Sequence, residues 1–227
     1  NPIDVNGNRV PHFLEDGFIA QDVQKINHLS KSVKETAFSD EPLFLNYNNI
    51  FVNTTVALQE LDKLHSRVKN LIILGGDHSI SYPCLRSMSR KFGQVALLHF
   101  DSHFDTWDEY FGEKCTHGTP FKRALEEKLI NVDNSMHVGI RGSINDYTDI
   151  EKDKELGFKT IFCNEIEELG IKGIISKIKD RVKDCPCYIS IDIDCIDPAY
   201  APGTGTPEPG GMSSRELFTI LKGLSNL

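Results

Sequence analysis

From residue 71 onward, short apolar runs alternate with longer stretches whose apolar residues recur at helical spacing. "LIIL" (71–74), "VALLHF" (95–100), "MHVGI" (136–140), "FKTIF" (158–162) and "CYISIDI" (187–193) read as five strands. Most are continuously apolar, the pattern of strands covered on both faces. Between them, Ser79 to Phe92, Gly118 to Leu129 and Ile144 to Leu156 read as helices. In the second of these, Phe121, Leu125 and Leu129 share one face. "EIEELGIKGIISKIKDRV" reads as a further helix, weakened near its middle by Gly170 and Gly173. "SSRELFTILKGL" opens a last one, with Ser213 or Ser214 as cap and Glu216 close behind. The front of the chain is less legible: Asp22 to Thr36 and Asn53 to Lys69 read as helices, and "GFIA" (17–20) as an edge strand. Strands alternating with helices predict an α/β fold built on a mostly parallel sheet with helices on both faces. Ligands of such sheets lie at the carboxyl ends of the strands.

Composition narrows the function classes. At 227 residues the chain suffices for one large domain or two small ones. It has no run near the ~20 apolar residues of a membrane span, and its first residues lack the basic-then-apolar pattern of a secretory signal. A formal charge of −8 and the absence of a basic stripe argue against nucleic acid and suit a small cationic substrate. The six cysteines are scattered through expected core strands, which favours reduced structural thiols in a cytoplasmic protein. Cys185 and Cys187, in "CPC", have the wrong spacing for a zinc knuckle and poor geometry for a bridge. Asn53 begins a glycosylation sequon, which carries little weight without secretion.

The candidate chemistry sits where three of the strands end. The first leads through a double glycine to His78, the second into "DSHFD", and the fifth into "DID". Extended backbone would put Asp101, His103 and Asp105 on one side, and likewise Asp192 and Asp194. Together these are four carboxylates and two imidazoles at one rim of the sheet. Two carboxylates ~4 Å apart repel by about 4 kcal/mol at an effective dielectric near 20. No Arg or Lys lies inside these motifs to offset that repulsion, so the rim calls for cations. Oxygen ligands with some imidazole suit Mn²⁺ better than zinc or copper. Two divalent ions would offset four carboxylates, the arrangement used in two-metal hydrolysis.

"GGDHS" (75–79), "DSHFD" (101–105) and "SIDIDCIDPAYAPGTGTPEPGG" (190–211) resemble the three signatures of the ureohydrolases, the arginase and agmatinase superfamily. "THGTPF" (116–121) and "HVGIRG" (137–142) are similar to the agmatinase and guanidino-acid branch rather than to arginase proper. The resemblance implies a single three-layer α/β/α sandwich over 1–227, assembled as a trimer or hexamer. It implies two Mn²⁺ per subunit, one held by His78, Asp101, Asp105 and Asp192, the other by Asp101, His103, Asp192 and Asp194. His117 would carry a proton to the leaving amine, and Asp197 would support the site or form a turn. The implied reaction is hydrolysis of a small cationic guanidino compound, agmatine to putrescine and urea. The alternatives are a guanidino-acid hydrolase, a formimidoylglutamase and a non-catalytic family member. Asp108, Glu109 and Glu113 favour agmatine, whose far end is an ammonium. Ser102 departs from the family pattern, which has Ala there. Relative to that pattern the chain is expected to be a fragment, lacking an N-terminal strand and a C-terminal strand with the guanidinium-pairing Glu.

Overall fold

The structure, a computed structural model, describes residues 61–63, 65–66, 71–74, 76–144, 146–225 and 227, with the backbone of 33–34 and 44–45. The expected helices at 22–36 and 53–69 lie largely outside the described residues, as do the edge strand at 17–20 and the Asn53 sequon. Two two-residue strands, β1 (Val33–Lys34) and β2 (Phe44–Leu45), pair antiparallel. The body is a four-stranded parallel sheet of β3 (Ala96–Phe100), β4 (Met136–Ile140), β5 (Lys159–Phe162) and β6 (Cys187–Ile191), in the order β5-β4-β3-β6.

Alternation along β3 builds a core on each face of this sheet. Ala96, Leu98 and Phe100 join Met136, Val138 and Ile161 under helices α4 (Ile166–Val182) and α5 (Ser214–Gly223), through Ile174, Ile178, Leu217 and Ile220. Val95 and Leu97 face the other way, onto Tyr82 and Leu85 of α1 (Ser81–Phe92) and Phe121 and Ala124 of α2 (Pro120–Glu126). Side chains i and i+2 share a sheet face, so one apolar run feeds two cores and the result is three layers. The expected α/β sandwich is the observed fold. Helix α5 starts as its sequence suggests: Ser213 accepts from the Glu216 N–H while Glu216 accepts from Ser213, a reciprocal capping box. Gly170 does interrupt α4, with φ +62 inside the helix.

Three elements depart from the expectation. Residues 71–74 are not a strand, and Ile72 and Leu74 are 86% and 94% exposed. A strand exists only through neighbours that take its hydrogen bonds, and no described strand pairs with this segment. Among the described strands none pairs with the outer side of β6, where Ile189 and Ile191 are over 40% exposed. Helix α3 (Asp149–Leu156) begins five residues later than expected, because the Asp146 carboxylate accepts the Thr148 N–H in a local turn. Finally, β6 stops at Ile191, and residues 193–195 form a 3₁₀ turn capped by Asp192.

Candidate metal centre

All six side chains singled out as ligands meet at the carboxyl ends of β3 and β6, but not by extended alternation. After Phe100 the chain bends. Asp101 Oδ1 takes the His103 N–H at 2.6 Å, and Asp194 Oδ1 takes the Ser102 N–H at 3.0 Å. Asp105 sits at φ +53, a left-handed conformation that few side chains adopt, which turns its carboxylate back toward Asp101. Asp192 Oδ1 likewise takes the Asp194 N–H at 3.1 Å. Short carboxylate-to-backbone turns thus do the converging that pleat geometry was expected to do.

The donors form two groups with Asp101 common to both. In the first, His78 Nδ1 lies 2.8 Å from Asp105 Oδ2, 3.0 Å from Asp101 Oδ2 and 3.4 Å from Asp192 Oδ2. In the second, His103 Nδ1 lies 3.1 Å from Asp194 Oδ2 and 3.5 Å from Asp101 Oδ1. Ligand atoms of His78, His99, Asp101 and Asp105 gather within 4.8 Å of one another, as do those of Asp101, His103 and Asp194. His78, Asp101, Asp105 and Asp194 are buried, and His78 and Asp192 line a small cleft along the open side of β6.

The electrostatics show what the cluster lacks. Burial alone would depress the His78 and His103 imidazoles. The carboxylates outweigh it, holding His78 well above the ordinary histidine value and pushing His103 up to about 11. Burial, then the charges of Asp101 and Asp194, push Asp192 up to about 7. Protons stand in here for missing positive charge. His78 Nδ1 is moreover a buried nitrogen with carboxylate oxygens around it and no well-formed hydrogen bond. A divalent cation satisfies both demands, so the residues fit metal.

Groups behind the donors hold their rings. His78 Nε2 lies 2.7 Å from Ser190 Oγ, and Thr206 Oγ1 donates to Asp194 at 2.9 Å. His103 Nε2 faces Glu208 Oε1 at 3.6 Å, and Glu208 also accepts from Ser143. Such partners fix the orientation of metal-binding imidazoles. Gly142 leaves room for His103, since a Cβ there would stand 2.5 Å from its Cδ2 and 2.9 Å from the Ser102 carbonyl. Gly142→Ala is therefore expected to cost about 1–3 kcal/mol of stability by overpacking. It should also weaken metal binding at least ~10-fold through His103; unfolding and metal titration of the variant check both.

Other expected site residues fare differently. His117, on the turn before α2, packs edge-on against Tyr110 at 5.2 Å, and its buried Nδ1 has no partner. No hydrogen bond joins it to the cluster among the described residues. Asp197 is a turn former: its carboxylate takes the N–H groups of Ala199, Gly210 and Gly211. Asp108 is engaged by Arg123 at 2.6 Å. The six cysteines are free thiols, and burial pushes Cys84 up to about 11 and Cys187 up to about 12. Among the residues that sequence reasoning missed is His99, on β3 itself and 2.8 Å from Asp101. Its signal was present, a histidine inside an otherwise apolar strand, but it was absorbed into the apolar run.

The chain belongs to the Arginase family, whose pattern matches residues 19–227. It is 47% identical over 169 residues to a protein named putative agmatinase 1 of Schizosaccharomyces pombe, covering 71% of this chain and 43% of that one. It is 37% identical over 183 residues to the guanidinobutyrase of Pseudomonas aeruginosa, covering 81% and 57%. Among solved structures, proclavaminate amidino hydrolase from Streptomyces clavuligerus superposes with a TM-score of 0.72 at 36% identity, over 77% of this chain and 58% of that one. The chain spans about half the length of the curated relatives it matches. No described helix is long and apolar enough to cross a membrane.

Proposed function

We propose that the full-length protein is a metal-dependent amidinohydrolase that releases urea from a small guanidino compound, agmatine foremost, and that it works as a homo-oligomer in the cytoplasm. The observation that carries this reading is the pair of His/Asp groups sharing Asp101. His78, Asp101, Asp105 and Asp192 would hold one Mn²⁺, and Asp101, His103, Asp192 and Asp194 the other, with Asp101 and Asp192 common to both. When bound, the ions would turn water into a nucleophile near neutral pH and offset charge developing on the substrate. The protein's part is to fix the carboxylates through the turns at 101–105 and 192–195, and to seat the two imidazoles on Ser190 and Glu208. His117, with its unpartnered buried Nδ1, is the candidate to deliver a proton to the departing amine.

The far end of the substrate divides two readings. The match to a protein named agmatinase supports agmatine. The pairing of Asp108 with Arg123 removes one of the three acids expected to receive an ammonium, which keeps a guanidino acid as the second reading. Urea release by the Mn²⁺-loaded, full-length protein from agmatine, 4-guanidinobutyrate, 3-guanidinopropionate and arginine separates them. Preference for agmatine supports the first reading, preference for a guanidino acid the second, and urea from none of them contradicts both.

The protonation of the metal-free cluster sets a pH dependence. The surrounding carboxylates raise the pKa values of His78 and His103 and so favour their protonated forms, whose protons a metal must displace. Loading near pH 7 should release about two protons per chain from the imidazoles and a further fraction from Asp192. Affinity should therefore fall as pH is lowered and rise as it is raised. Calorimetric titration in buffers of different ionisation enthalpy measures the released protons directly.

A further inference from the structure

From Asp101 into the sheet runs a line of buried polar side chains that the chemistry above does not use, beginning at His99, which shares Asp101 Oδ2 with His78. His99 Nε2 lies 2.8 Å from Asp101 Oδ2, and His99 Nδ1 lies 2.8 Å from His137 Nδ1. His137 Nε2 in turn faces Asp153 Oδ1 at 3.4 Å, an oxygen that also accepts from Thr106 Oγ1 at 2.9 Å. Both histidines are 0% exposed and Asp153 is 2% exposed. Three elements supply the line: His99 from β3, His137 from its in-register neighbour on β4, and Asp153 from α3. Phe121 packs edge-on against His99 and Phe104 edge-on against His137, with Phe158 tilted over His137, so aromatic walls flank both rings.

Hydrogen-bond chemistry fixes the order of protons along this line. The Asp101 carboxylate can only accept, so His99 Nε2 carries a hydrogen. His99 Nδ1 is then left to accept, and His137 Nδ1–H is the donor that meets it. With that proton committed, His137 presents Nε2 to Asp153. Asp153 Oδ1, at 3.4 Å, is the polar atom that this nitrogen faces, without a formed hydrogen bond. From Asp101 outward each donor thus meets an acceptor, and the polar group at the far end of the line is Asp153.

We propose that His99, His137 and Asp153 form a positioning relay that holds Asp101, the carboxylate common to both donor groups, in its metal-binding orientation. Asp153 acts from a helix beside the sheet, through two imidazoles, without touching the ions. If the relay is broken at His137, His99 can adopt the opposite tautomer and turn a bare nitrogen toward Asp101, which pushes the shared ligand out of place. This inference rests on the metal reading above.

The test is Mn²⁺ titration of the metal-stripped, full-length protein and three variants, with thermal unfolding of each metal-free form as the measure of structure. His137→Phe keeps a ring in the cavity and removes the donor, and should bind Mn²⁺ ~10–100-fold more weakly. Asp153→Ala should also weaken binding. Asp153→Asn should retain more affinity than Asp153→Ala, because its amide can donate to His137 Nε2 and keep the other ring proton pointing at His99. A His137→Phe protein that folds and binds as tightly as the unmutated one overturns the relay. Should His137→Phe not fold, the Asp153 pair decides: equal affinities in Asp153→Ala and Asp153→Asn overturn it, because a merely structural loss would not be rescued by the amide. Absence of Mn²⁺ binding in the unmutated protein overturns the metal reading and this inference with it; two ions bound with unchanged affinity in every variant overturns the relay alone.

Discussion

Asp101→Asn is expected to leave the full-length protein unable to hold two ions per chain, with urea release reduced on the order of 10³-fold relative to a dinuclear site that stabilises developing charge. Asp101 is buried and stands in both donor groups, so its charge is withdrawn from both at once. Substituting residues that merely orient ligands commonly costs 10–100-fold in metal affinity, and removal of a shared ligand should exceed ~100-fold. The amide also sets an N–H against His99 Nε2–H, where the carboxylate accepted at 2.8 Å. Metal analysis beside a urea assay reads both effects. A variant with full metal content and full turnover would show that Asp101 bridges nothing.

The second large effect is expected at Arg141, which follows β4 and touches no donor side chain. Its guanidinium donates to the carbonyls of Gly139 at 3.3 Å, Asp194 at 2.8 Å and Pro209 at 3.1 Å, with Cys195, Ile196 and Glu208 also in reach. One planar fork thus ties the backbone of the 194–209 segment to the end of β4. A lysine concentrates its donors at one point and cannot span those acceptors. Arg141→Lys should leave two or three part-buried carbonyls short of a partner, at a cost of about 2–3 kcal/mol. Because Asp194 rides on this segment, metal affinity should fall as well. Denaturant unfolding of the metal-free protein and Mn²⁺ titration report the two consequences separately. Unchanged stability would mean that water replaces the guanidinium without loss.

Much of this arrangement was legible in the chain. Strands β3 to β6 and helices α1, α2, α4 and α5 follow from apolar runs and helical periodicity, since each element buries a face in one of the two cores. Residues 71–74 depart from the expected strand because an apolar run does not specify the neighbour that makes it one, and among the described strands none pairs with it. The delayed start of α3 was hidden in Asp146, whose side chain competes with the helix for backbone N–H groups. At the site, the six donors were recognisable by type and order, whereas their convergence through bends at 101–105 and 192–195 was not. Carboxylate-to-backbone turns depend on φ and ψ values, such as the +53 at Asp105, that residue spacing does not encode. His99 and His137 escaped for another reason. A histidine in a buried strand acquires a role only when sheet register places a partner beside it, and the pairing of β3 with β4 does that.

The most direct test of the central claim is the number of Mn²⁺ ions bound per chain when the metal-stripped, full-length protein is titrated. Two ions per chain is the result required by a cluster in which Asp101 serves two donor groups. One ion, or none, would contradict the dinuclear site and the hydrolytic chemistry assigned to it.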